Sequence, residues 1–189
     1  MRGGGFSALS AVNTEGLKIN SQMRTNKLLK SKVFEITLTG KYYSLLLPEQ
    51  IVLPFVEKNL KRVKVKATFE GNELSFHGAI QKRKGNYYMI FGKRYQKELG
   101  IFPNDYFQMQ LFEDTSKYGV EMPEELDAVL LSDYEAFQIF ESLSDGLKRG
   151  LIYTIIRYKN VQTRIDKSLI LCENLKRGVQ DRRKLFSPI

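Results

Sequence analysis

The side chains in this sequence that could do chemistry are mostly cations. Arg62, Lys64 and Lys66 alternate with Val63, Val65 and Ala67. On an extended strand they would project from one face about 6–7 Å apart, because alternate residues are two rises apart. Lys82, Arg83 and Lys84 run into Gly85-Asn86, and Tyr87 and Tyr88 follow directly. Cations beside aromatic rings suit phosphate contacts with base stacking, so these six residues are the candidate nucleic-acid contacts. The same pattern also describes a solvated sheet face with a charged turn, which keeps sheet edges from pairing with one another. A further group, Arg157, Lys159, Arg164 and Lys167, follows a stretch from Glu121 to Asp145 whose only charges are acidic. Intramolecular neutralisation is the expected role there, with Arg164 pairing with Glu125 or Asp133.

Catalytic chemistry finds little to work with. His77 is the only histidine. It falls on the polar phase of a strand beside Ser75 and Ala79, where a surface or rim position is expected; no nucleophile is placed with it by sequence. Cys172, the only cysteine, lies on an apolar helix stripe and reads as a small core hydrophobe. One cysteine and one histidine cannot supply a structural zinc site. Gly85 to Lys93 looks like a phosphate-binding loop only superficially: its glycines are too far apart, and Arg94 stands where a magnesium-binding Ser or Thr is needed. No catalytic residue, metal or cofactor is therefore expected.

The elements that must position these residues change character along the chain. Residues 1–31 lack apolar period and are expected to be a disordered tail. From Lys32 the period is two, with Phe34, Ile36 and Leu38 on one face, then Val63, Val65, Ala67 and Phe69. Gly71-Asn72 is read as a hairpin turn, and Gly100 as the cap of a short helix beginning at Lys93. Tyr43 to Val65 and Tyr87 to Met109 share one pattern of strand, break, short helix and strand, which suggests a pseudo-symmetric barrel over residues 32–118. After Tyr118 the apolar period becomes helical. Pro123 opens one helix, Ser132 with Glu135 forms a capping box for the next, and Ile165, Leu169, Cys172 and Leu175 stripe the last. The expected fold is α+β: a small double-split β-barrel, a helical domain of three to four short helices over 119–178, and a basic tail over 179–189. A formal net charge of +9 over 189 residues favours anionic partners without choosing among them. No apolar run approaches the ~20 residues that span a bilayer, and no secretory signal is read. The lone cysteine fits a reducing compartment, so a cytoplasmic setting is expected.

Two family resemblances fit this order. Leu47-Pro48-Glu49, Arg62-Val63-Lys64-Val65, the run from Lys93 to Ile101, and Asn104-Asp105-Tyr106-Phe107 resemble an uncharacterised bacterial double-split β-barrel family, related in shape to AbrB-like transcription regulators. Met122-Pro123-Glu124-Glu125-Leu126 and the run from Tyr158 to Arg164 resemble the YdeI/OmpD-associated, bacteriocin-protection family. That resemblance implies a family motif at Lys159, Thr163 and Arg164, and a link to antimicrobial resistance. The function expected from the sequence is a non-enzymatic binding protein whose barrel contacts an anionic partner, nucleic acid first. The alternative is a stress- or resistance-related protein that binds a small ligand or a protein in a groove between barrel and helices.

Overall fold

The computed structural model describes residues 28–39 and 43–188. The expected disordered tail lies outside these residues up to position 27. Residues 28–31 run beside the last strand of the sheet: Ser31 N–H donates to Leu111 O (2.8 Å) and Glu113 N–H to Leu29 O (2.7 Å).

The period-two segments become strands β1 (Phe34–Thr39), β2 (Ser44–Leu47), β3 (Arg62–Phe69), β4 (Asn72–Ala79), β5 (Gln81–Arg83), β6 (Asn86–Ile90) and β7 (Tyr106–Glu113). Helix α1 (Glu49–Glu57) follows β2, and helix α2 (Lys93–Leu99) follows β6. The strands form one antiparallel sheet in the order β4-β3-β7-β1-β2-β6-β5. Its two outermost strands, β4 and β5, are consecutive in the chain and separated only by Ile80. The sheet must therefore curl until its ends meet, forming a half-barrel. The meeting is tight: a Cβ on Gly78 would collide with the Met89 thioether.

Two strands are split between partners. β1 pairs with β7 through Phe34 to Thr37, then with β2 through Leu38 and Thr39. The β4–β5 strand pairs with β3, bends at Ile80, and continues against β6. The internal repeat is also visible in the pairing, since β2 pairs with β6 and β3 with β7. Both hairpins of the β4–β5 strand use two-residue turns with positive φ: Glu70 and Gly71 in one, Lys84 and Gly85 in the other. The first turn is thus one residue earlier than Gly71-Asn72, because Asn72 already pairs with Phe69.

Four helices follow: α3 (Glu124–Ser132), α4 (Tyr134–Ser142), α5 (Asp145–Ile156) and α6 (Val161–Lys176). The expected capping box is not formed. Asp133 caps α4 instead, accepting from Ala136 N–H (3.0 Å), while Ser132 Oγ turns back to Val129 O. Asn160 caps α6 through Thr163 N–H (3.1 Å). The buried stripe of α6 is Ser168, Leu171, Cys172 and Leu175; Leu169 is 52% exposed and belongs to the outer face. The apolar interior falls into two clusters, one from Leu29 to Leu111 and one from Tyr118 to Phe186. The second includes Leu185, so the segment read as a basic tail is docked. Asn174, itself buried, donates to Lys184 O, Leu185 O and Ser187 O (3.1–3.3 Å) and holds the segment against α6.

Candidate functional site

The sheet's closing corner, at Ile80, faces α5 across a cleft of about 410 Å³. From the sheet it takes Arg62, His77, Gln81 and Ile90; from the first turn of α2, Arg94 and Tyr95; from α5 and its end, Tyr153 and Arg157. Tyr153 and Arg157 are four residues apart, so they share one helix face. Tyr95 stacks its ring on Phe76 (centroids 4.5 Å apart) and packs beside Phe91, which fixes the direction of its hydroxyl.

His77 is tied from behind. Its Nδ1 donates to Asp114 Oδ2 (2.9 Å), and Asp114 also accepts from Ser116 N–H (2.9 Å) and Ser116 O–H (2.5 Å). The Asp114 side chain is 5% exposed. Burial pushes its carboxyl up, but the hydrogen bonds from Ser116 and His77 outweigh this and hold it below its ordinary value. Burial and the neighbouring Tyr153 push the Tyr95 phenol up, against the pull of Arg94 and Arg62. The Tyr95 hydroxyl thus stays protonated, and so able to donate, across the ordinary pH range. The bend at Ile80 and the approach of α5 place three guanidinium groups, two phenols and an imidazole around one space, and no carboxylate lines it.

The cations singled out by sequence divide among several places. Arg62 is structural as well as cleft-lining: Nε donates to Gly119 O (3.0 Å) and NH2 to His77 O (3.2 Å), joining the sheet to the segment that leads into α3. Lys64 is exposed on β3, opposite His77. Lys66 is paired with Glu73 (2.6 Å). Lys82, Arg83 and Lys84 are exposed on the β5–β6 hairpin, beyond the corner at Ile80. Lys82 lies over the Tyr87 ring (5.3 Å), and Arg83 donates to Gln81 Oε1. The two triplets therefore do not form one strip. Arg164 bonds Glu125 Oε1 (2.6 Å), Tyr158 O and Lys159 O, binding α6 to α3 and to its own preceding loop. Its Nε is buried without a partner. Lys159 is exposed, Thr163 supplies the capped N–H, and Asp133 pairs with Lys176 (2.8 Å) rather than Arg164. Among the described residues Arg157 has no carboxylate partner, and it faces the cleft.

Asp114, Arg94, Tyr95 and Tyr153 were not read as site residues from the sequence, although Arg94 and Tyr95 fall in the family-like run from Lys93 to Ile101. His77 and Asp114 lie on segments separated by β3, and only the register brings them together. The phase of the α5 stripe did carry a signal for Tyr153 and Arg157, since both fall off its buried face of Leu151, Ile152 and Ile155. Cys172 is buried; burial, with Asp133 nearby, pushes its thiol up to about 11. Among the described residues no group of three or more His, Cys, Asp or Glu could hold a metal ion, and no helix is long and apolar enough to cross a membrane.

Fold and cleft together define an α+β protein: a curled antiparallel half-barrel followed by helices, with a cationic cleft where they meet. Residues 119–178, the helical part, match the OmdA family, described as bacteriocin-protection, YdeI or OmpD-associated. The solution structure of PHS018 from Pyrococcus horikoshii is similar at 17% identity, over 44% of this chain and 95% of that one, with a TM-score of 0.33. No curated protein matches the chain.

Proposed function

We propose that the protein binds a small anionic ligand in the cleft between half-barrel and helices. The supporting observation is the lining itself: Arg62, Arg94 and Arg157 with Tyr95 and Tyr153, and no carboxylate among them. Such a set attracts anions, and guanidinium groups match the geometry of oxyanions. The bacteriocin-protection description of the family matched by residues 119–178 is in keeping with a resistance-related role, and the lone buried Cys172 with a cytoplasmic setting. The test is thermal unfolding of the full chain across a panel of small anions. A ligand at a hundred times its Kd stabilises the folded state by about 2.7 kcal/mol. An Arg94→Glu, Arg157→Glu double variant with an intact fold must lose the response. An equal response in parent and variant overturns the assignment.

A second reading, contact with nucleic acid, is favoured by the Lys82, Arg83 and Lys84 hairpin, which is exposed and has no carboxylate partner among the described residues. An AbrB-like kinship of the barrel belongs to this reading. Oligonucleotide binding would then fall with salt, and Lys82→Glu with Lys84→Glu would reduce the log–log slope by about one unit for each phosphate no longer neutralised. Absence of binding at low salt removes it.

A further inference from the structure

We infer that the ligand of this cleft presents a doubly charged tetrahedral oxyanion of the phosphate type, held by Arg94, Arg157 and Nε2 of a protonated His77. This rests on the cleft being the ligand site and adds the ligand's chemistry.

The donors approach from three elements: His77 from β4, Arg94 and Tyr95 from α2, Tyr153 and Arg157 from α5 and its end. A carboxylate offers about four lone-pair sites, but all near one plane, so donors arriving from three directions suit it less well. A tetrahedral oxyanion has an oxygen for each. His77 decides how many charges it can hold. Asp114, pinned by two bonds from Ser116, takes the Nδ1 proton of His77. The neutral ring therefore carries its lone pair on Nε2, which repels an oxyanion oxygen. Protonation turns Nε2 into a donor while Nδ1 keeps its bond to Asp114. The other charges facing His77 are Arg62 and Lys64 on β3, Arg94 on α2 and Arg157 at the end of α5. Of these, Arg94 also lies 3.8 Å from the carboxylate of Glu98 on its own helix, and the phenols of Tyr95 and Tyr153 complete the titratable groups around the space. A bound dianion favours the imidazolium over the neutral ring, so binding draws a proton onto His77.

Since His77 is the only histidine, a proton NMR spectrum of the whole protein holds a single histidine Hε1 signal to follow. The chain is titrated with sodium sulfate, which stays a dianion throughout, with inorganic phosphate, and with acetate as the planar control. An opposite charge at contact distance moves a pKa by about 1–3 units. Sulfate should therefore raise the His77 midpoint by at least about one unit and bind at least about tenfold tighter near pH 5.5 than near pH 8.5. The gain is complete below the midpoint of the free protein and is lost as pH rises through the midpoint of the complex. Acetate should bind weakly and leave the midpoint in place. Arg157→Gln, an exposed position, should weaken sulfate; His77→Gln should weaken it and abolish its pH dependence. If sulfate binds through Arg94 and Arg157 but the His77 midpoint and the affinity do not change with pH, this inference is overturned and the cleft assignment stands. If acetate matches sulfate, the tetrahedral oxyanion is overturned. If no anion binds in an Arg157-dependent way, both fail.

Discussion

Shortening Leu185 to alanine tests whether the C-terminal segment is part of the helical core. The Leu185 side chain is 2% exposed and packs in the cluster that includes Leu171 and Leu175. Leu185→Ala removes three buried carbons, each worth about 0.8 kcal/mol, so the transfer loss is about 2.4 kcal/mol. A segment near the chain end can settle into the space left, so the added cavity cost is small. For a helical unit of this size, such a loss lowers the melting temperature on the order of 10 °C. Asn174→Ala removes the amide that donates to Lys184 O, Leu185 O and Ser187 O. Of the three carbonyls, that of Leu185 is the buried one, and stranding it costs about 1–3 kcal/mol. The two changes release the same segment, so the double variant should lose less than the sum of the singles, by about 0.5 kcal/mol or more. Chemical denaturation of the full chain, followed by helical circular dichroism, measures all three. Arg183→Ala, an exposed neighbour, is the control and should leave stability unchanged. If Leu185→Ala melts like the parent, or the two losses simply add, the docked segment is refuted.

Three further outcomes are expected. The Cys172 thiol, pushed up to about 11 by burial and by Asp133, should resist a disulfide reagent at pH 8 in the native protein and react fully once denatured; prompt native reaction would contradict its burial. The Asp114 carboxyl is depressed in the folded protein, so its stabilising contribution is complete above its ordinary value near 3.8 and is lost as pH falls through the folded value. Asp114→Asn should therefore lower the neutral-pH melting temperature, with the gap to the parent closing in acid; a gap independent of pH would refute the linkage. Arg164→Ala should lower the melting temperature more than Lys159→Ala, because Arg164 bonds Glu125 and two carbonyls whereas Lys159 is exposed; equal effects would remove the structural role of Arg164.

The sheet was legible because alternation and burial coincide. Val63, Val65 and Ala67 are fully buried, Met109 and Leu111 nearly or wholly so, and each is on the phase its strand predicts. Local competition explains the small errors. Asp133 and Ser132 are both good caps, and the sequence alone does not say which of them a neighbouring backbone group will claim. The site was less legible. Arg62, Lys64 and Lys66 do alternate, but the partners of two of them come from elsewhere in the fold: Gly119 for Arg62, the cross-strand Glu73 for Lys66. The pairing of His77 with Asp114 depends on two registers, β4 on β3 and β3 on β7. A basic tail looked free because Arg182, Arg183 and Lys184 are polar, yet Arg182 donates to Gly150 O and one leucine anchors the segment.

The internal repeat gives a way to separate folding from function within this sheet. α1 and β3 begin at Glu49 and Arg62, α2 and β7 at Lys93 and Tyr106, with the same separation in both halves. Equivalent positions carry equivalent burial where the core requires it: Leu45 and Met89, Leu47 and Phe91, Phe55 and Leu99, Val65 and Met109 are all buried. The cleft residues break the equivalence. At that spacing Ile51 stands for Tyr95, Gln50 for Arg94, Val33 for His77 and Tyr106 for Arg62. Equivalent strands split at the two corners, so the split itself does not call for charge; of the cleft cations only Arg62 has a stated structural task, its bonds to Gly119 O and His77 O. At the four positions compared, charge stands only at the corner facing α5, and α5 brings Tyr153 and Arg157 to the same place. The cations that line the cleft, of which Arg94 alone has a carboxylate within 4 Å among the described residues, Glu98, are thus gathered where a second element adds Tyr153 and Arg157, the place the proposed anion would occupy.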